Sequence, residues 1–496
     1  MQDLKQRELK MQERRKNTPR REFVKEICSW RALPFYKIDG FVSRFPETKR
    51  VGSIVSHKVF AEQRDTLLSY GLTYDNTEKF FIQLQHLFAS VPLENTLLFG
   101  VCENSDYADQ SMNARNTYLS YSVIGSENVL YTILTNGGAN IFNSMSVIQS
   151  ENIYQSHSVV NSYNIFYSKQ VDNAHDIRFC TNMIGCQECI FCQNMNNASY
   201  CIDNTQYTKD AYNVEKEKIL NQKTWFAVLF EKLLPGETIS LSVNVTWNYI
   251  TDCSDVENGY YIQATHKSHN AVFVAGWEGC NMLHDVYAVA GAPWWYNYYG
   301  IMWCTWGDNV YSSVIVPRCM NTYYSYGMES CSFCLGCVGL KNKSFCILNK
   351  QYTKEERFEL ANKIFEQMDK DWVLWQFFPW SMNPFYFNDT TAYLMDDSFT
   401  KEEVTKEWYL RRDEEIKVDT PSNAEVITTK ELVDYQWFND KWERIINPEI
   451  LKKVIRDEKG NIYRIMSMEL DFLQKNGLPL PEIHWLDRIK LWFKFK

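Results

Sequence analysis

Residues 186–192 read Cys-Gln-Glu-Cys-Ile-Phe-Cys and residues 331–337 read Cys-Ser-Phe-Cys-Leu-Gly-Cys, so one chain holds two runs of C-x-x-C-x-x-C. A C-x-x-C pair is half of a zinc ribbon, since thiolates at that spacing can share one tetrahedral ion. The same spacing arises wherever every third side chain faces one direction. In that setting a free thiol behaves as a small hydrophobe.

The surrounding residues favour the second reading. An Asn or Asp recurs at Asn116, Asn128, Asn140, Asn152, Asn164 and Asp176, always twelve residues apart, with Asn104 upstream in phase. A second set holds Asn258 and Asn270, then, after a three-residue insertion, Asp285, Asn297, Asn309 and Asn321. With Asn as position one, positions two, five, eight and eleven are small or apolar. Position two holds Val129, Ile141, Ile153, Ile165, Ile177, Cys189 and Cys201, and position five holds Ser120, Thr132, Ser144, Ser156, Ser168, Cys180 and Cys192. A spacing of three fits neither a helix nor a flat strand. It predicts a narrow β-solenoid whose twelve-residue coil turns four small side chains inward, similar in coil geometry to the small beetle antifreeze β-helix but without that protein's Thr-x-Thr face. One coil buries too little to offset the entropy of ordering it, so coils must stack. Asn or Asp at position one is expected to stack along the solenoid and satisfy turn groups.

The chain has fifteen cysteines, an odd count that suits a reduced protein. Twelve of them, Cys180, Cys186, Cys189, Cys192, Cys201, Cys280, Cys304, Cys319, Cys331, Cys334, Cys337 and Cys346, all fall at the inward positions. They are expected to be structural core. No metal ligand and no cofactor are assigned, with zinc as the competing reading. Cys186, Cys189, Cys192 and Cys201 map onto Cys331, Cys334, Cys337 and Cys346 at a constant offset of 145. Each cluster runs into a similar exit, TQYTKDAYNVEKEKIL (205–220) and KQYTKEERFELANKIF (350–365). Thr353 with Glu356 forms a capping box and Thr208 precedes Asp210, so each exit predicts a helix that caps an open solenoid end.

The expected fold class is mainly β with flanking α+β: two tandem narrow β-solenoids of twelve-residue coils, the product of an internal duplication. The expected order is an N-terminal α+β region with a basic arm (1–100), a first β-solenoid and capping helix (101–220) and a linker (221–250). A second β-solenoid and capping helix (251–368) and a C-terminal α+β region (369–496) follow.

The segments FFIQLQHLFASVP (80–92), ENSDYA (103–108), CLGCVGLKNKSFCILNKQYTKEE (334–356), WQFFPWSMNPFYFNDTTA (375–392) and GNIYRIMSMELDFLQKNGLPLP (460–481) carry a family resemblance. The chain resembles the Cys-rich, zinc-ribbon-flanked β-solenoid proteins of candidate-phyla bacteria, some of them mislabelled CaiB/BaiF. The resemblance covers most of the chain after about residue 75 and implies architecture, since no activity is established for that family. Two departures stand out. Relatives usually carry one solenoid, and they place zinc-binding Cys pairs at the N-terminus and around the equivalent of VIRDEKGNIYRI (454–465), which has no Cys here. The resemblance therefore implies degenerate zinc ribbons.

Function is less legible. A net charge of −9 argues against a general nucleic-acid coat, and no apolar run approaches the ~18 residues of a membrane span. No apolar h-region is seen near the N-terminus, so a cytoplasmic location is expected. The eight histidines, His57, His86, His157, His175, His266, His269, His284 and His484, fall in no catalytic motif. No catalytic residue is assigned, and a non-enzymatic scaffold or interaction protein is expected.

Position three carries Tyr118, Phe142, Tyr154 and Phe166 in the first solenoid and Tyr260, Tyr287, Tyr299, Tyr311 and Tyr323 in the second, with Trp294, Trp303 and Trp306 close by. Such rings would stack in ladders, serving either as stabilising stacks covered by other parts of the chain or as a candidate partner surface. A protein partner or self-association is the favoured expectation. An RNA- or ribosome-associated protein, using Arg14, Arg15, Arg20 and Arg21 of the basic arm, is the alternative. An enzyme of unknown class is a third. No membrane and no small-molecule substrate are inferred.

Overall fold

The computed structural model describes residues 20–220, 261–262, 273–275, 283–287, 289–290, 296–302, 308–374, 376–413, 424–441 and 443–493. The chain divides into two compact units, each drawn from two separated stretches: Met1–Leu98 with Glu237–Asp413, and Phe99–Gly236 with Glu414–Lys496. No described helix is long and apolar enough to cross a membrane.

The Phe99–Gly236 stretch winds into a β-solenoid, about nine turns of twelve-residue coils over residues 98–202. Two strands per coil, such as Glu127–Leu130 and Ile133–Asn136, pair in parallel with the coils before and after. The register is the predicted one, for Val129, Ile141, Ile153, Ile165, Ile177, Cys189 and Cys201 are successive Cα partners. The spacing of three has a backbone cause. In one coil Asn128, Tyr131, Leu134 and Gly137 have φ of 56°, 53°, 65° and 67°. Two extended residues followed by one left-handed residue turn a corner, and four corners close the coil. A left-handed L-residue costs roughly 1–2 kcal/mol, which Asn, Asp and Gly bear best.

Position one thus does two jobs. Its Asn residues occupy a corner, and their carboxamides form a ladder. Nδ2 of Asn104, Asn116, Asn128, Asn140, Asn152 and Asn164 donates to Oδ1 of the next rung at 2.9–3.1 Å, ending on Asp176.

Inside, the apolar column is fully enclosed, with Val129, Ile141, Ile153, Ile165 and Ile177 at 0% exposure. Position five is a polar column in a dry interior, which demands partners. The hydroxyls of Ser120, Ser144, Ser156 and Ser168 each donate to a carbonyl of their own coil and accept the position-five N–H of the next coil, as Ser156 accepts from Ser168 and Ser168 from Cys180, both at 3.1 Å. Cys180 takes over this role, its Sγ accepting from the Cys192 N–H at 3.2 Å, and Cys192 accepts from Asn204 at 3.4 Å.

The last coil ends in a tight hairpin, Cys201 opposite Gln206, turned by Asp203 and Asn204 at φ 50° and 59°. The predicted exit helix follows as Lys209–Leu220, where Thr208 Oγ1 accepts from the Ala211 N–H at 3.3 Å.

A second core lies outside the solenoid of this unit. Strands Val426–Thr428, Val454–Arg456 and Ile462–Tyr463 form a small sheet followed by helices Ser467–Asn476 and Trp485–Phe493. These elements bury Leu470, Phe472 and Leu473 against the solenoid's outer rings. Within this dry contact Arg488 pairs with Glu469 at 2.9 Å and donates to Tyr154 Oη at 3.2 Å, while Asn143 donates to Glu469 at 3.1 Å. A zinc ribbon is not shown here. The turn after Val454–Arg456 is held by Asp457, whose Oδ1 accepts from the N–H groups of Lys459 and Asn461 at 3.0 and 2.8 Å.

In the other unit, parallel pairing at the twelve-residue offset joins Val310 to Thr322 and Tyr311 to Tyr323, and bridges continue it from Met320 to Ser332 to Ser344. The ladder ends in the hairpin of Cys346 with Gln351 and in helix Lys354–Lys370, whose capping box of Thr353 and Glu356 is formed as predicted. A complete second solenoid over 251–368 is not shown. Much of 251–307, with the predicted linker 221–250, lies outside the described residues. Pairing there also departs from period: Val274 faces Val289 and Tyr287 faces Met302, an offset of fifteen. The insertion before Asp285 thus lengthens the coil and shifts Tyr287 out of line with Tyr299, which pairs with His284 instead.

Candidate functional site

The aromatic column expected to face a partner is largely covered by the chain itself. Phe142, Tyr154 and Phe166 are 1%, 0% and 1% exposed, with Phe472 lying 4.5, 6.1 and 6.2 Å from their ring centroids. The physical reason is the cost of leaving a continuous apolar stripe in water, which the apolar face of Ser467–Asn476 removes. Tyr118 is half-buried between Tyr107 and Tyr131, at 4.9 and 6.0 Å. Tyr323 is half-buried against Phe365 of its exit helix at 5.5 Å. Tyr260, Trp294, Trp303 and Trp306, and the side chains of Tyr287, Tyr299 and Tyr311, lie outside the described residues.

Of the basic arm, Arg14 and Arg15 lie outside the described residues, as does the side chain of Arg20. Arg21 is engaged within its own unit. It pairs with Glu403 and, at 3.3 Å, with Asp396, and its guanidinium sits 4.0 Å over the Phe399 ring. Its guanidinium is thus occupied by two carboxylates and a ring of its own unit.

The cysteines Cys180, Cys186, Cys189, Cys192, Cys201, Cys319, Cys331, Cys334, Cys337 and Cys346 are free thiols at no more than 1% exposure, while Cys280 and Cys304 lie outside the described residues. Burial pushes the Cys180 thiol well above its ordinary range. Among the described residues no group of three or more His, Cys, Asp or Glu side chains is arranged to hold a metal ion.

What remains open among the described residues is a polar wall of the first solenoid, at positions ten to twelve, where a shallow groove of about 680 Å³ crosses several coils. One side is a column of Cα partners, Glu127, Ala139, Glu151 and Tyr163. Position ten supplies the other side through Gly137, Gln149 and Asn161, and Gly138 lies in the floor. Gly138 has no room for a side chain, because a Cβ there would meet Ile141 Cδ1 at 2.5 Å and the Ser150 carbonyl oxygen at 2.7 Å. That Cβ would point into the coil, because position eleven turns inward and Ser126, Ser150 and Ser162 at the same position are buried.

The ends of this strip are self-paired. Arg115 bridges Glu103 at 3.5 Å and Glu127 at 3.8 Å, and His175 contacts Asp176 and Gln187, both at 3.0 Å. Between them Glu151 has no ion-pair partner among the described residues, and the carboxamides of Gln149 and Asn161 are exposed. Tyr163, at 46% exposure, stands beside Glu151. The arrangement offers one carboxylate, two carboxamides and one ring over a flat floor, which is binding chemistry rather than a nucleophile with its base. Sequence reasoning passed over these residues because outward positions vary freely; the adjacent Gly137 and Gly138 were the one local signal.

No protein-family model, no curated protein and no solved structure matches this chain, which is described by its own architecture: a Cys-rich β-solenoid with α+β flanks.

Proposed function

We propose that the protein is a non-enzymatic binding scaffold that presents the open polar wall of its solenoid to a partner. The observation that carries this reading is the groove along Glu127, Ala139, Glu151 and Tyr163, built on a ladder that leaves the wall rigid while its outer polar groups stay exposed. We also read residues 308–351 as the end of a second solenoid copy. Two exits with one chemistry support this. Asn204 donates to the Gln193 carbonyl and accepts from its N–H at 3.0 and 2.7 Å, and Asn349, 145 residues on, does the same to Val338 at 2.9 and 2.8 Å. Each side chain stands in for the coil that does not follow. A reducing, cytoplasmic setting suits the buried free thiols.

The test places a photo-crosslinking side chain in the full-length protein at Ala139, in the groove, or at Ile184, exposed elsewhere on the solenoid. Adducts with a macromolecule from Ala139 and not from Ile184 are expected, and Gly137→Arg in the Ala139-labelled protein should suppress them. Equal adducts from both positions, or none from Ala139, would overturn the reading.

A further inference from the structure

We propose that the groove receives an extended, uncharged saccharide chain lying across the rungs of Ala139, Glu151 and Tyr163, an inference that rests on reading this wall as the binding face. Each alternative occupant meets a specific obstacle. A peptide adding as a β-strand needs a free sheet edge, but these rungs already pair with the next coil: Ala139 N–H donates to Ser150 O at 3.2 Å, Glu151 to Ser162 at 3.0 Å and Tyr163 to Ala174 at 3.1 Å. A nucleic acid would set its phosphates against Glu127 and Glu151, and the nearby cation, Arg115, already bridges two carboxylates. An apolar ligand would find an open, polar strip instead of an enclosing apolar pocket.

A saccharide meets none of these obstacles. Pyranose rings have an apolar face that stacks on an exposed aromatic ring, here Tyr163, which joins an apolar body to a polar tip. Their paired hydroxyls suit a carboxylate that is otherwise unpaired, here Glu151, and carboxamides that both donate and accept, here Gln149 and Asn161. At position eleven the side chains of Ser126, Ser150 and Ser162 are buried in the coil, so none of them stands between a ring and this wall. Rungs of a parallel ladder recur at about 4.8 Å, close to the length of one pyranose in an extended β-linked chain, so neighbouring sugars meet neighbouring rungs. The carboxylates exclude polyanionic glycans on charge.

Isothermal titration calorimetry on the full-length protein, with oligosaccharides of β-1,4-glucan, β-1,3-glucan, β-1,4-mannan and β-1,4-linked N-acetylglucosamine, tests the inference. Saturable binding of at least one is expected. It should weaken at least about tenfold in Tyr163→Ala, as loss of a central aromatic contact does, and about tenfold in Ala139→Arg, while Tyr163→Phe stays within about twofold. Thermal melts matching the parent would show that the variants are folded. Absence of binding at millimolar sugar, binding indifferent to both disruptive variants, or preference for a sulfated polysaccharide would each overturn it. Should no sugar bind while Ala139 still crosslinks a protein, the saccharide inference falls and the scaffold reading stands. If neither occurs, both fall.

Discussion

Replacing Cys180 separates a core thiol from a metal-binding thiol. Its sulfur accepts the Cys192 N–H at 3.2 Å and points toward the Arg178 carbonyl at 3.1 Å, in the column where Ser156 and Ser168 do the same through oxygen. Serine is therefore an in-frame replacement, and Cys180→Ser should change stability by no more than about 1 kcal/mol, the net scale of one neutral hydrogen bond. Cys180→Ala leaves a buried N–H without an acceptor, at about 1–3 kcal/mol, and opens a small cavity worth about 1 kcal/mol more. The expected sum is about 2–4 kcal/mol. Urea unfolding followed by circular dichroism reads the difference, and hydrogen exchange at the Cys192 amide localises it, with protection kept in the Ser variant and lost in the Ala variant. If Ser proved as damaging as Ala, or if purified reduced protein held about one zinc per chain that Cys180→Ser released, the core reading of the cysteine runs would be wrong.

Two further outcomes follow from the same wall and its cover. Asn204→Ala removes both partners of the exposed Gln193 backbone, so it should cost only about 1 kcal/mol yet sharply speed exchange of the Gln193 amide, and unchanged exchange would refute its role as an end plug. The His484 ring is held down to about 4 from 6.5, by burial first and by the Arg488 charge second. The unfolded chain then binds the proton more readily than the folded one. This contribution is complete above about pH 6.5 and lost as pH falls through 4, on the order of 3 kcal/mol at the acid end. His484→Gln should flatten that part of the stability profile, and an unchanged slope would refute the assignment.

The twelve-residue period was legible because it is local. Each corner sits at a fixed chain offset, so Asn116 through Asp176 and the inward columns announce themselves without any tertiary knowledge. Thr353 with Glu356 was legible for the same reason, since the two members of a capping box lie only three positions apart. The fate of the outward rings was not. Phe142, Tyr154 and Phe166 have the same spacing whether water or Phe472 covers them, and Phe472 lies far along the chain. Arg21 is similar, for a cationic cluster looks the same before Glu403 and Asp396 are brought to it. The fifteen-residue coil was half visible: the insertion before Asp285 could be counted, but which strands it would displace could not.

By itself, then, the sequence determined the coil: its length, its four inward columns, the Asn ladder and the helical exits, all of them properties of residues spaced a few steps apart. Tertiary structure alone decided which walls of that coil meet water. Covering is a long-range event, governed by which distant apolar surface gains most from leaving solvent. It claimed the aromatic wall for Phe472 and its neighbours and left the wall of Glu151 and Tyr163 open. The runs of C-x-x-C-x-x-C belong to the first kind of information, the groove to the second.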